Sequence, residues 1–254
     1  MADFRKDIVI NEGEPLIKIR NLYKSFGSNH VLKDFSMDLN KGENLVILGK
    51  SGSGKSVLIK CIIGLLQPDK GNIEVMGRDI EQLTQEEMDK MRVHVGFLFQ
   101  SNALYDSMTV RENLEFPLRR HGTEKSAQEV NDLLLYTLTQ VGLAHTIDMM
   151  PSELSGGMRK RIALARTLIL NPEIILYDEP TTGLDPITGK EISMLILDIQ
   201  KKYRTSSIII SHDMNCVRYT ANRIIVLYDG ICYATGTFEE LKKSEDPIVK
   251  QFFV

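Results

Sequence analysis

"ENLVILGKSGSGKSVLIKCIIGLL", Glu43 to Leu66, decides the fold. "NLVIL" is a short apolar run of the kind a fully buried strand needs, and "SVLIKCIIGLL" reads as a helix that stops before "QPDKG", where Pro68 and Gly71 punctuate the chain. Between them "GKSGSGKS", Gly49 to Ser56, matches the spacing G-x-x-x-x-G-K-[ST]. A glycine-rich turn with a surface lysine is the bland reading, but a strand before and a helix after are the setting a phosphate loop requires. There the glycines let backbone N–H groups close around phosphate oxygens and the helix N-terminus adds positive potential. Lys55 reaches the outer phosphates and Ser56 can ligate Mg2+. Gly49, Lys50, Ser51, Gly52, Ser53, Gly54, Lys55, Ser56 and Val57 are therefore the candidate nucleotide-binding residues.

Working outward, three further apolar runs end in polar residues suited to the same chemistry. "EIILYDEP" closes on two acids at a strand end, where ligands bind in open α/β sheets. Asp178 is expected to hold Mg2+ through water, and Glu179 to act as the base that orients and polarises the attacking water. "SSIIISHD" ends at His212, placed to hydrogen-bond a terminal phosphate, although a lone histidine is more often a structural donor. "VGFLFQ" ends at Gln100, whose amide can touch both Mg2+ and the lytic water.

A second anion-binding pattern follows a hundred residues later. "LSGGM", Leu154 to Met158, opens onto the basic run "RKRIALARTL" without a phosphate-loop lysine. Ser155 and the amides of Gly156 and Gly157, at a helix start, can bind a γ-phosphate. If both half-sites serve one nucleotide, a two-fold dimer is the simple solution, each chain offering its half-site to the other's ATP. Arg159, Lys160, Arg161 and Arg166 either reinforce this helix electrostatically or form a solvated basic face.

The rest of the chain fits one α/β unit of 254 residues. A net charge of −3 gives no basic field, so sequence-independent nucleic-acid binding is not favoured. Three cysteines, Cys61, Cys216 and Cys232, are odd in number and widely spaced, which suggests neither a disulfide framework nor a zinc site and points to a reducing compartment. The opening "MADFRKDIVINEGEPLIKIR" has no apolar core long enough for a signal peptide, and no segment reaches the length of a membrane span. Phe35, Met37 and Leu39 alternate as in a half-buried antiparallel strand, so an antiparallel flank is expected. Thr84 with Glu87, and Ser126 with Glu129, have capping-box spacing. Val130, Leu134, Leu138 and Val141 form a helical stripe. Asp229-Gly230 should turn a hairpin between "RIIVLY" and "ICYATG".

With Gly49 to Ser56, Gln100, "LSGGM", "LYDEP", "GLDP" and His212 in this order, the chain resembles the ABC-transporter ATPase family over nearly its whole length. The resemblance implies a phosphate-loop α/β core, an N-terminal antiparallel β subdomain and an inserted helical subdomain. It divides the single 1–254 domain into a core of 15–100 and 165–254 and a helical part of 101–164. It implies ATP and Mg2+ as cofactors, the latter held by Ser56, Gln100 and Asp178, and catalysis by Glu179, His212 and Gln100. Phe26 occupies the place of the aromatic that stacks on adenine, and Asp185 of "GLDP" that of a contact across the dimer. The usual fifth signature residue is glutamine, here replaced by Met158. "LSGGM" with "RKRIALARTL", "FLFQSNALYDSMTVRENLEFPLRRHG" and "EDPIVKQFF" is similar to the Mla/Mce-type branch of bacterial phospholipid transport.

The partners that branch implies are a second copy of the chain, an integral MlaE-like permease and, indirectly, a Mce-domain lipid-binding protein, with no nucleic acid. The place it implies is the cytoplasmic face of the bacterial inner membrane. Leu104, Tyr105, Met108 and Phe116 are candidate lining for the permease contact, against ordinary core packing. Competing readings are a soluble assembly ATPase of the iron–sulfur type and the ATPase of a non-lipid transporter. A chromosome-maintenance ATPase would need a long heptad-rich insertion that the sequence lacks.

Overall fold

The computed structural model describes residues 13–121 and 125–253. Residues 1–12, which carry most of the segment read above for a leader, lie outside the described residues. Two sheets meet in the middle of the chain's fold. The first is antiparallel, in the order β2-β1-β4-β5, from β1 (Ile17–Phe26), β2 (Asn29–Leu39), β4 (Lys70–Val75) and β5 (Arg78–Asp79). The second runs β10-β9-β3-β8-β7-β6, from β3 (Asn44–Leu48), β6 (Val95–Leu98), β7 (Ile174–Asp178), β8 (Ser206–Ser211), β9 (Arg223–Tyr228) and β10 (Ile231–Gly236). All its neighbours are parallel except β9 and β10.

The apolar runs are continuous because these parallel strands are covered on both faces. Leu45 and Ile47 of β3 face one core with Leu176, Ile208, Ile210 and Phe35, between the sheets and α1 (Lys55–Ile62). Val46 and Leu48, one residue out of phase, face the other with Ile175, Tyr177 and Ile209. That second core packs on α5 (Gly156–Leu168), α6 (Pro186–Tyr203) and α7 (Met214–Thr220). Truncating any of these buried leucines or isoleucines to alanine costs about 2–5 kcal/mol. Phe35, Met37 and Leu39 are buried as their alternation requires.

α1 is shorter than its apolar run. It ends at Ile62 because Gly64 takes φ +65°, and the amide of Leu65 donates back to the Lys60 carbonyl at 2.8 Å. Both capping boxes form, Thr84 starting α2 (Gln85–His94) and Ser126 starting α4 (Ala127–Gln140). Thr237 and Glu240 form another at α8 (Phe238–Lys242). Asp229 and Gly230 have φ of +49° and +80°, the pair of left-handed residues that a two-residue hairpin with the strands' own twist needs.

Residues 101 to 164 contain no strand among the described residues; α3 (Val110–His121), α4 and most of α5 close over a third apolar cluster that includes Leu114, Leu134, Leu138 and Ile162. α5 serves both sides of the junction: Ala163, Leu164 and Leu168 face the sheet, while Ile162, Ala165 and Ile169 face α3 and α4. The expected boundary at residue 164 therefore falls within one helix.

Candidate nucleotide site

The carboxyl ends of β3, β7 and β8 deliver the phosphate loop, the acids and the histidine to one place. A cavity of 540 Å³ is lined by Phe26, Val31, Ser51, Gly52, Gly54, Lys55, Ser56, Val57, Gln100, Glu179 and His212. Phe26 is 50% exposed and so is not a core phenylalanine. Lys24 lies over its ring, 5.5 Å from the centroid, and is held by Asp69 at 2.9 Å.

The loop's geometry explains its glycines. Gly52 and Gly54 take φ of +78° and +103°, and a Cβ on Gly49 would sit 2.6 Å from the Ser53 hydroxyl. Lys55 is buried, and its ammonium donates to the carbonyls of Gly49 (2.7 Å) and Lys50 (2.9 Å). Burial lowers the Lys55 pKa, against the opposing fields of Glu179 and Asp178. The Ser53 hydroxyl is buried and finds no hydrogen-bond partner among the described residues. An orphan hydroxyl and a compact backbone cradle at a helix start fit the phosphates of a nucleotide.

Ser56 Oγ donates to Asp178 Oδ1 at 3.3 Å, and burial raises the Asp178 pKa. No group of three or more His, Cys, Asp or Glu residues that could hold a metal ion by itself is present among the described residues. A hydroxyl and a single carboxylate do fit Mg2+, which takes few protein ligands and completes its shell with phosphate and water oxygens.

Glu179 follows β7 with φ +50°, a conformation that costs a non-glycine residue of order 1–3 kcal/mol. Its amide donates to the Ile210 carbonyl at 3.0 Å, which fixes it to β8. Its Oε2 lies 2.8 Å from His212 Nδ1 and accepts from Thr182 Oγ1 at 3.3 Å. Asp213, beside the histidine, accepts from Thr181 Oγ1 at 2.9 Å and caps α7. Gln100 is not the strand's last residue: β6 ends at Leu98 and Gln100 stands in the following turn.

Ser155, Gly156, Gly157 and Asp185 do not line this cavity. Ser155 caps α5, its Oγ accepting from the Met158 amide at 3.2 Å, which leaves its own hydrogen free to donate. Asp185 caps α6, accepting from the amides of Ile187 and Thr188 at 3.0 Å and from Thr188 Oγ1 at 2.6 Å. The two segments abut within the chain: a Cβ on Gly157 would meet Thr188 Cγ2 at 2.6 Å, and one on Gly156 would lie 3.8 Å from Leu184.

The basic run is not a solvated face. Lys160 is 2% exposed and donates to the Gln100 carbonyl at 2.9 Å; burial pushes its pKa down to about 8. Arg159 donates to the Leu154 carbonyl, Arg161 to the Val141 carbonyl and Glu191, and Arg166 to the carbonyls of Asn102 and Ala103. Val31 lines the cavity and was missed by sequence reading, which named Lys160 only within the basic run and not for its bond to Gln100. The signal for its burial was its phase, four residues before the buried Leu164.

A phosphate loop, a strand-end acid pair and a strand-end histidine around one cavity define a phosphate-loop nucleoside triphosphatase. The chain belongs to the ABC transporter family, whose pattern it matches over residues 32–182, and it is an ATP-binding, ATP-hydrolysing subunit. It is 42% identical over 236 residues to the probable ribonucleotide transport ATP-binding protein mkl of Mycobacterium leprae, covering 93% of this chain and 68% of that protein. It is 38% identical to the intermembrane phospholipid transport system ATP-binding protein MlaF of Haemophilus influenzae, covering 93% and 89%. The dimeric post-hydrolysis structure of the ATP-binding cassette MJ0796 with ADP and Pi superposes with a TM-score of 0.79 at 32% identity, covering 87% of this chain and 98% of that one.

Proposed function

We propose that this chain energises a membrane permease for phospholipid transport, working as an ATP-sandwich homodimer. The observation that carries the sandwich is the separation of its half-sites: the cavity holding Lys55, Gln100, Glu179 and His212 is not lined by Ser155, Gly156 or Gly157. A second copy facing the cavity would supply Ser155 and the glycine amides, with Asp185 beside them at the interface. The dimeric state of the MJ0796 cassette supports this reading.

In the mechanism, Phe26 stacks on the adenine, and the amides of Gly49 to Ser56 with Val57 surround the phosphates. Lys55 transfers its hydrogen bonds from the loop carbonyls to the outer phosphates. Ser56, Asp178 and Gln100 would hold Mg2+, which would supply charge neutralisation at the phosphates. Glu179, presented by its fixed backbone, takes the proton of the attacking water, a step worth about 100- to 10,000-fold. His212 steers that carboxylate through Nδ1 and offers its other ring nitrogen towards the γ-phosphate. ATP favours the closed pair and ADP the open one, and this difference moves the helical part against the permease.

The lipid assignment is supported by Met158 in the signature and by the likeness to MlaF. A non-lipid solute is the second reading, since mkl carries a ribonucleotide-transport name. Among the described residues no helix is long and apolar enough to cross a membrane, so the proposed place is peripheral, beneath an MlaE-like permease on the cytoplasmic face, with a Mce-domain protein beyond it. A detergent pull-down of the tagged chain from its own cells, with identification of bound proteins and lipids, tests this. A polytopic permease, a Mce-domain protein and phospholipid are expected. A permease with an unrelated solute-binding protein, or a soluble iron–sulfur assembly complex, would overturn the lipid assignment.

A further inference from the structure

The loop after β6 is held from one side by α5. Lys160, 2% exposed, donates its ammonium to the Gln100 carbonyl at 2.9 Å. Six residues further along, Arg166 donates to the carbonyls of Ala103 (2.9 Å) and Asn102 (3.2 Å). Asn102 and Ala103 have φ of +66° and +52°, so the loop takes a conformation that unaided residues of these types avoid. Lys160 is also five residues from Ser155, on the same helix, whose first turn Ser155 caps.

We propose that Lys160 is a positioning residue that fixes the backbone of Gln100 to the signature helix, so that the Gln100 amide and Ser155 move as one body. Gln100 lines the nucleotide cavity and Ser155 does not, and the buried Lys160 side chain joins the two segments at Gln100 itself, with Arg166 holding the loop at Asn102 and Ala103. A shift of Gln100 on meeting nucleotide is carried through Lys160 to the first turns of α5, turning the group that is offered to the second copy. A buried ammonium bonded to a backbone carbonyl suits this role. The carbonyl sits on the main chain, so the tie survives any rotamer of the Gln100 side chain, and charge-assisted bonds are the strong ones. The proposal rests on reading Gln100 as a contact to the nucleotide's terminal phosphate or its metal.

The test is a double-mutant cycle on the full-length chain, following steady-state ATP hydrolysis in wild type, Lys160→Met, Gln100→Ala and the double variant. Methionine fills the buried space without donating. Lys160→Met should lower kcat about 10- to 100-fold, as displacement of a catalytic group does, with KM for ATP within about twofold and an unchanged far-UV spectrum. The double variant should be no slower than Gln100→Ala, because Lys160 acts through Gln100. Lys160→Gln, which restores a donor, should recover part of kcat. Wild-type kcat in Lys160→Met, or a double variant whose loss is the product of the two single losses, would overturn the proposal. Should Lys160→Met not fold, Lys160→Leu takes its place in the same cycle. Wild-type turnover in Gln100→Ala would instead remove Gln100 from the site, a failure of the underlying reading that is told apart from the first by the single variants.

Discussion

His212 Nδ1 stands 2.8 Å from Glu179 Oε2, across the gap between β8 and β7, and the Glu179 backbone is held left-handed by its bond to Ile210. The carboxylate is thus aimed from two directions, by its own main chain and by the imidazole. Glu179→Gln keeps the shape and removes the base. Hydrolysis should fall about 100- to 10,000-fold while ATP binding is retained. His212→Ala, which removes only the steering contact, should be slower than wild type but faster than Glu179→Gln. Single-turnover rates at saturating ATP measure both, and turnover near wild type in Glu179→Gln would remove the base assignment.

Phe26 offers a half-exposed ring to the cavity with Lys24 over it. Phe26→Ala should weaken ATP binding by about 1–3 kcal/mol, the range for a base stacked on an aromatic, and Phe26→Tyr should bind as wild type. Kd from a fluorescent ATP analogue reads this directly. Equal affinities for alanine and tyrosine would mean that the ring meets no base.

Gly157 is required by a neighbour in its own chain, whatever it offers to a second copy. Gly157→Ala places its Cβ 2.6 Å from Thr188 Cγ2, and overpacking of this kind costs about 1–3 kcal/mol. Thr188→Ser deletes that methyl and keeps the hydroxyl bonded to Asp185. The pair Gly157→Ala with Thr188→Ser should therefore melt nearer to wild type than Gly157→Ala alone. Equal melting temperatures for the two would show that the clash is absorbed elsewhere.

The capping boxes that start α2, α4 and α8 give a pH dependence of known sign. Backbone hydrogen bonds from Thr84, Ser126 and Thr237 hold Glu87, Glu129 and Glu240 below the usual carboxylate range. A depressed folded-state pKa contributes stability that is complete above the unfolded value, about 4.3, and is lost as pH falls through the folded one. Replacing all three by glutamine should flatten the acid limb of the melting-temperature profile and leave the neutral region's shape unchanged. An unaltered acid limb would place the titration elsewhere.

The phosphate loop was legible because its chemistry and its setting are both local: a strand before it, a helix after it, and glycines where the backbone needs φ near +78° and +103°. The capping boxes and the Asp229-Gly230 hairpin were legible for the same reason. What sequence could not give depends on distant neighbours. The apolar run through Leu66 hid the end of α1, which Gly64 sets. Four cations on α5 left open a reinforced helix or a solvated face, and the fold ties them instead to carbonyls as far away as Gln100 and Val141 and, for Arg161, to Glu191 as well. Charge in a sequence reports a residue's type, and only the fold reports which oxygen it meets.

The most direct test of the two-chain site is sedimentation of Glu179→Gln with and without Ser155→Arg, in the presence of ATP. Glu179→Gln should sediment as an ATP-dependent dimer. The double variant should stay monomeric with ATP still bound, since Ser155 does not line the cavity of its own chain. A dimer that closes despite Ser155→Arg, or a double variant that loses ATP, would contradict a site completed by the second copy.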